Sequence, residues 1–200
     1  MTHDHFAHKA HSYEQNRDRV DNVANIADAI VARIPLNKSL YLMDFGSGTG
    51  LLLERIAQHV GKIAAVDVSQ SMNAQLREKR SRLACEVEIL ELDLEATPLN
   101  RQFDGIVSSM TMHHIKDVPA MFARFHTLLK DGGFIAIADL DQEDGSFHTE
   151  DTGVHHAGFD REVITKATMH AGFRNVAIDT VSVINKRGKD YPVFLLVGFK

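Results

Sequence analysis

The stretch Leu42-Met43-Asp44-Phe45-Gly46-Ser47-Gly48-Thr49-Gly50 decides the fold of this 200-residue chain. It opens as a short apolar run holding one acid and ends in glycines at alternate positions. The pattern predicts a buried strand over 40–45, a glycine loop, and a helix over 49–60 with Leu52, Leu53, Ile56 and Val60 near one face. Glycines at a strand–helix junction let the backbone turn tightly and approach a ligand closely. The helix N-terminus behind them offers unpaired N–H groups and a partial positive charge, so a carboxylate or phosphate can bind there. A dinucleotide fingerprint would need its third glycine at position 51, where Leu51 stands. The spacing found is G-x-G-x-G instead, with Asp44 just ahead of the loop and placed to receive a cationic group. A second acid, Asp67, falls 21 residues after Gly46. That is the distance at which a carboxylate takes both hydroxyls of a ribose. The plain alternative is a tight strand–helix turn with no ligand.

Outward from this loop, strand-like runs alternate with helical patterns. Strands are expected at 62–68, 86–92, 103–109 and 134–140, with helices at 71–83 and 117–129, and Gly132-Gly133 breaking the chain between them. Ser69 or Ser71 is placed to cap the 71–83 helix. Upstream, Val20, Val23, Ala27, Ile30, Val31 and Ile34 repeat at helical spacing over 14–34, and Pro35 ends the helix. Residues 1–12 hold His3, His5, His8 and His11 and are expected to form a polar, mobile arm. Downstream, 141–159 is a long polar segment, the kind of loop that is often functional. A helix at 160–170 follows, with Asp160 as N-cap and Gly172 past its end. Two strands at 174–184 and 191–199 are joined through a hairpin connection at 185–190. The order predicts a mostly parallel sheet covered on both faces and closed by an antiparallel pair.

Composition bounds the function. With 27 acidic and 22 basic residues the net charge is -5, which argues against a broad nucleic-acid surface. A single Cys85 rules out an internal disulfide and fits a reducing, cytoplasmic compartment. The first residues, MTHDHFAHKAH, carry no secretory signal, and the apolar runs are strand-sized, so no membrane segment is expected. One domain over 1–200 accommodates the whole pattern.

Several segments together resemble class I methyltransferases that use S-adenosyl-L-methionine (SAM). DFGSGTG at 44–50, VDVS at 66–69, LDLEATPL at 92–99 and FDGIVSSMTMHHI at 103–115 look like motifs I to IV, and DGGFIAIADL at 131–140 resembles the segment after them. FAHKAHSYEQNRDRV near the N-terminus is similar to the helical lid of the small-molecule branch that includes the ubiquinone- and menaquinone-biosynthesis methyltransferases. The likeness covers about 6–140 and implies a Rossmann-like α/β fold. That fold has a seven-stranded, mostly parallel sheet with an antiparallel last strand, helices on both faces and an N-terminal helical lid. By this resemblance Gly46, Ser47, Gly48 and Gly50 pass the methionine part of SAM, and Asp44 lies near its ammonium. Asp67 takes the ribose hydroxyls, Val68 and Met72 flank the adenine, Asp93 meets its amino group and Leu94 packs on the ring. Ser108 and Ser109 end the fourth strand under the sulfonium. The implied product is S-adenosyl-L-homocysteine (SAH). The chain departs from the quinone-methyltransferase pattern at 141–159, so a quinone precursor is not implied.

Individual residues carry plain readings beside these roles. Asp93 could only cap the turn before Thr97-Pro98, and Met110 and Met112 could line an acceptor pocket or fill core gaps. Asp104 fits a structural role at its strand, and Asp139 and Asp141 could simply begin a solvated loop. His113 and His114 fall at the C-terminal edge of the sheet, where open α/β folds place ligands. His113, His148 and His155 are the candidate bases or acceptor contacts, since imidazole titrates near neutral pH. His148, His155 and His156 with Glu150 and Asp151 could form a metal site, but no H-x-x-x-H pair supports one, and no metal is expected. The acceptor expected is a small molecule, with neither nucleic acid nor membrane as partner, and the chain is expected to act as a monomer or homodimer. A non-catalytic SAM-sensing module and a nucleotide-dependent oxidoreductase are the alternatives. Leu51 counts against the second.

Overall fold

In the computed structural model, residues 4–148 and 152–200 are described. The sheet grows from β1 (Tyr41–Phe45), nearly all of it buried. β1 pairs in parallel with β2 (Lys62–Asp67) on one side and β4 (Phe103–Ser109) on the other. β3 (Glu86–Glu91) extends the first side, and β5 (Leu129–Leu140), β7 (Lys189–Phe199) and β6 (Arg174–Lys186) extend the second. The order β3-β2-β1-β4-β5-β7-β6 leaves β7 as the antiparallel member, paired that way with both β5 and β6. The chain leaves β1 toward β2 and β3, then returns to lay β4 on the opposite side of β1. That reversal opens a crevice beyond the carboxyl ends of β1 and β4, where ligands bind in such sheets.

Period-2 side-chain placement builds the two core layers. On β1, Leu42 faces one layer and Met43 the other; on β5, Ala136 and Ala138 alternate with Ile135 and Ile137. The first layer is completed by α1 (Arg17–Arg33) and α2 (Leu51–Ile56), and it takes Leu76 from α3 (Gln70–Lys79). The second is completed by α4 (Val118–Leu128) and α5 (Arg161–His170). Ser69 caps α3 through Met72 N–H at 3.2 Å, and Asp160 caps α5 through Val163 N–H at 2.9 Å. Among the described residues no helix is long and apolar enough to cross a membrane.

The departures from expectation have local causes. The first helix begins at Arg17 rather than 14 because Asn16 caps it through Arg19 N–H, and a 3-10 turn at Ala10–Gln15 precedes it. α2 begins at Leu51 because Gly46, Gly48 and Gly50 all lie in the left-handed region, at φ of 70°, 54° and 85°. Gly132-Gly133 interrupts a ladder rather than separating elements: β5 pairs Leu129 with Phe103, loops out, and resumes at Phe134 opposite Gly105. The hairpin between β6 and β7 is tighter than expected, a two-residue turn at Arg187 and Gly188 with φ of 55° and 77°. Positive φ at both positions is what a type I′ turn requires.

The N-terminal arm is the largest correction. Its described part is docked rather than mobile. The Asp4 carboxylate accepts the Ser71 N–H at 3.0 Å and the Ser69 and Ser71 hydroxyls at 2.8 Å each. The amino end of a helix favours such an anion. His3 lies outside the described residues.

Candidate functional site

The glycine loop is held from both sides. Val66 O, at the end of β2, accepts the N–H groups of Gly46 at 2.8 Å and Ser47 at 3.2 Å. A Cβ on Gly46 would sit 2.1 Å from Thr111 Oγ1, so this glycine is fixed by close approach as well as by φ. Asp67 accepts Gly48 N–H at 2.7 Å and Ser69 N–H at 2.8 Å, tying the loop to the start of α3. Ser108 Oγ donates to Phe45 O at 2.7 Å and joins the ends of β4 and β1. Beyond β4 the chain turns through Met110, a non-glycine at φ 57°, whose N–H reaches Ala138 O at 2.9 Å.

Over the crevice lies a cavity of about 480 Å³. Its floor is the glycine loop and the end of β4. Its roof comes from the docked arm and α1, through Phe6, Tyr13, Arg19 and Asn22. The far wall is Phe147, His148 and Thr152, together with Ile184–Lys186 at the tip of β6. Six side-chain atoms in this lining are buried without a hydrogen-bond partner: Asn22 Oδ1, Asp44 Oδ2, Ser47 Oγ, Thr49 Oγ1, Ser109 Oγ and His148 Nε2. A buried polar group without a partner is costly, so a convergent set of six marks a place where a polar ligand supplies the missing bonds.

Electrostatics single out Asp44. It is 1% exposed, and burial, aided by the Asp67 charge, pushes its pKa up to about 8. A cation beside it would restore the ionised form. Burial also pushes Asp67 up, against the pull of its backbone hydrogen bonds to Ser69 and Gly48. His114 and His148 are pushed down to about 4, first by burial and then by the neighbouring His113 ring.

The structure brings Asp44, Gly46, Ser47, Gly48, Ser109, His113 and His148 together in the lining. Gly50 and Ser108 are buried and fall outside the lining. Asp67 stands beyond it, beside the docked Asp4. Val68 is exposed, Met72 and Leu94 are buried in the core, and Asp93 caps its own turn through Glu95 N–H at 2.8 Å. Asp104 is structural, accepting Tyr41 N–H and Lys130 Nζ at 2.8 Å each. Met110 lines the cavity, whereas Met112 is buried core. His155 falls outside the lining: it is exposed, and its backbone N–H donates to His113 O at 2.9 Å. Asp141 is bound to Arg161 through two 2.7 Å contacts. Asp139 is not a solvated loop start; it is fully buried against His113. Among the described residues no group of three or more His, Cys, Asp or Glu side chains is placed to hold a metal ion. Glu150 and Asp151 lie outside the described residues. Sequence reasoning missed Asn22, Thr49 and Phe147. Thr49 alone carried a signal, as the polar residue between the last two loop glycines.

Comparison with known proteins agrees with this geometry. A putative methyltransferase of Haloferax volcanii, solved in complex with the Trm112 methyltransferase activator, superposes with a TM-score of 0.78 at 18% identity, covering 100% of this chain and 99% of that one. The DhpI–SAH complex superposes with a TM-score of 0.75 at 19% identity, covering 98% and 92%. An uncharacterised methyltransferase of Schizosaccharomyces pombe is 30% identical over 162 residues, which are 72% of this chain and 55% of that protein. The chain thus spans about half the length of the curated relatives it matches. The family model described as a methyltransferase domain matches residues 13–178, from the docked arm through the glycine loop and into β6, and the chain belongs to that family.

Proposed function

We propose that this chain binds SAM in the crevice and transfers its methyl group to a small-molecule acceptor, leaving SAH. The observation that carries the reading is the set of six unpartnered polar atoms around the glycine loop, with Asp44 at its base. The donor set suits SAM: a buried acid for a cationic group, the unpartnered Ser47 and Thr49 hydroxyls for a carboxylate, and Asp67 at the sequence spacing of a ribose-binding acid. When bound, SAM supplies a carbon already activated for displacement. The chain's own work is therefore positioning and exclusion of water, effects that can lower a barrier by about 7–11 kcal/mol. Asp44 holds the cationic end. The loop fixes the backbone approach. Val68, Met72, Asp93 and Leu94 are assigned to the adenine end, beyond the lining seen here. Phe6 and Tyr13, carried by the arm, close the roof and shield the reacting centre. Met110, Phe147 and Ile184 give the remaining wall an apolar surface for the acceptor, and 141–159 is its acceptor-side segment. The 200 residues act as one cytoplasmic domain in this reading.

The test is a melting experiment with SAM, SAH and NAD in parallel. A ligand at a hundredfold excess over its dissociation constant stabilises a fold by about 2.7 kcal/mol. The expected result is a clear rise with both adenosyl compounds and none with NAD. A rise with NAD alone, or no response to either adenosyl compound, refutes the reading.

A further inference from the structure

Behind the cavity wall lies a pairing that cofactor binding does not need. His113 sits in the 3-10 turn Met112–His114 that follows β4, and its ring is 2% exposed. Its Nδ1 lies 2.7 Å from Asp139 Oδ1 on β5. The other Asp139 oxygen accepts the His113 backbone N–H at 3.2 Å, and Oδ1 also accepts Leu140 N–H at 2.8 Å. Backbone N–H groups of His155 and His156 reach His113 O at 2.9 and 3.2 Å. Imidazole and carboxylate are thus both anchored through their backbones. Burial raises the Asp139 pKa, but the His113 ring and these hydrogen bonds outweigh it and hold the carboxyl below its usual range. An ionised carboxylate only accepts, so Nδ1 carries the hydrogen, and the ring in its neutral form has its lone pair on Nε2. Nε2 has no partner among the described residues, and the ring lines the cavity with Asp44, Ser109 and Met110. The two neighbouring imidazoles lack such an arrangement. His114 directs Nδ1 at Gly153 O at 3.2 Å, and His148 leaves Nε2 buried without a partner.

Resting on the methyltransferase reading, we propose that His113 is the base that removes the acceptor's proton, that Asp139 is its positioning residue, and that the acceptor atom is a hydroxyl oxygen. A carboxylate is already deprotonated at neutral pH, and an amine that enters in its neutral form, its ammonium proton left in solvent, already has a free pair, so neither needs a base at the moment of attack. A hydroxyl with a pKa of about 10 or above does. The O–H proton passes to His113 Nε2. The electron pair left on oxygen forms the bond to the methyl carbon, and the carbon–sulfur pair stays with sulfur, which loses its positive charge. The imidazolium formed is stabilised by Asp139.

The tautomer can be read without any acceptor, in long-range proton–nitrogen correlation spectra of the full chain labelled at histidine, at pH 8 with SAH added. His113→Gln identifies the His113 signals. The charged and titratable groups around this ring are Asp139 from β5, His114 from its own turn, His148 and His155 from the segment after β5, Asp44 from β1 and Lys186 from β6. The expected result is hydrogen on Nδ1 and an unprotonated Nε2, with that preference lost in Asp139→Ala, which removes the acceptor at Nδ1. Hydrogen on Nε2 in the unaltered chain overturns the proposal, as does an unchanged tautomer in Asp139→Ala. SAH calorimetry on the same samples separates the two readings: failure to bind SAH refutes the methyltransferase reading, whereas binding with the wrong tautomer refutes only the base. With an acceptor that turns over, Asp139→Asn lowers kcat by about 100-fold or more with KM nearly unchanged, and the rise of kcat/KM with pH disappears. Turnover of amines or carboxylates but of no hydroxyl compound overturns the acceptor assignment.

Discussion

Asp44→Asn should make the ligand-free protein more stable, by an amount that depends on pH in a set way. In the empty cavity the carboxyl titrates at about 8, against 3.8 in an unfolded chain, chiefly because burial penalises its charge. The folded state therefore holds one more proton than the unfolded state between these values, and stability falls as pH rises through them. At about 1.4 kcal/mol per pH unit, the penalty grows by about 2 kcal/mol from pH 6 to pH 8 and changes little above pH 9. Asparagine has the shape of the protonated acid and never ionises, so the variant escapes this loss. In a chain of this size 1 kcal/mol moves the melting temperature by about 2–4 °C. The melting curves of variant and parent should therefore separate by a further 4–8 °C, roughly, between pH 6 and pH 8, since other groups titrate alike in both. SAM should bind the variant about 10- to 150-fold more weakly, the value of a hydrogen bond to a charged partner. A gap constant from pH 6 to pH 9 would mean that Asp44 titrates normally and would refute the reasoning.

Two further substitutions probe the loop and the arm. In Gly46→Ala the new Cβ meets Thr111 at 2.1 Å on a backbone at φ 70°; the left-handed conformation alone costs about 1–2 kcal/mol, so urea midpoints should fall. Adding Thr111→Gly should return only the part due to the clash, and full recovery would show that the backbone conformation is not the constraint. Asp4→Ala removes three hydrogen bonds to Ser69 and Ser71. The site is half-buried, with Ser69 buried and Asp4 and Ser71 partly exposed, so about 1 kcal/mol is expected, seen as roughly fivefold faster SAH release in stopped-flow. An unchanged release rate would show that the arm does not hold the roof shut.

What could be read from the chain alone was what is local. Left-handed glycines between a buried strand and a helix give the same turn wherever they occur, so 44–50 located the crevice before any tertiary contact was known. Alternation of strand and helix gave the parallel sheet, and its antiparallel close followed from the hairpin signal after α5. Contacts between distant positions left no such trace. Nothing near Asp4 announces that it will meet Ser69 and Ser71, and nothing in α1 distinguishes Asn22 from the other polar residues of that helix. Asp139 looked like a solvated loop start because its acidity suggested surface. Its partner, His113, is 26 residues earlier, and only the pairing of β4 with β5 brings them together. His155 was drawn into the site by residue type, although only its backbone takes part.

The placement of β7 between β5 and β6 has a consequence for biosynthesis. A ribosome that has released everything up to Gly188 has made β6 but not the strand that joins β6 to the rest of the sheet. Until β7 follows, β5 shows an open edge, and α5 with β6 has no sheet to dock on. Exposed edges of this kind invite pairing with other chains. Nascent chains stalled before β7 should therefore remain open to protease and prone to aggregate, and a crevice able to hold its ligand should form only once translation has passed that strand.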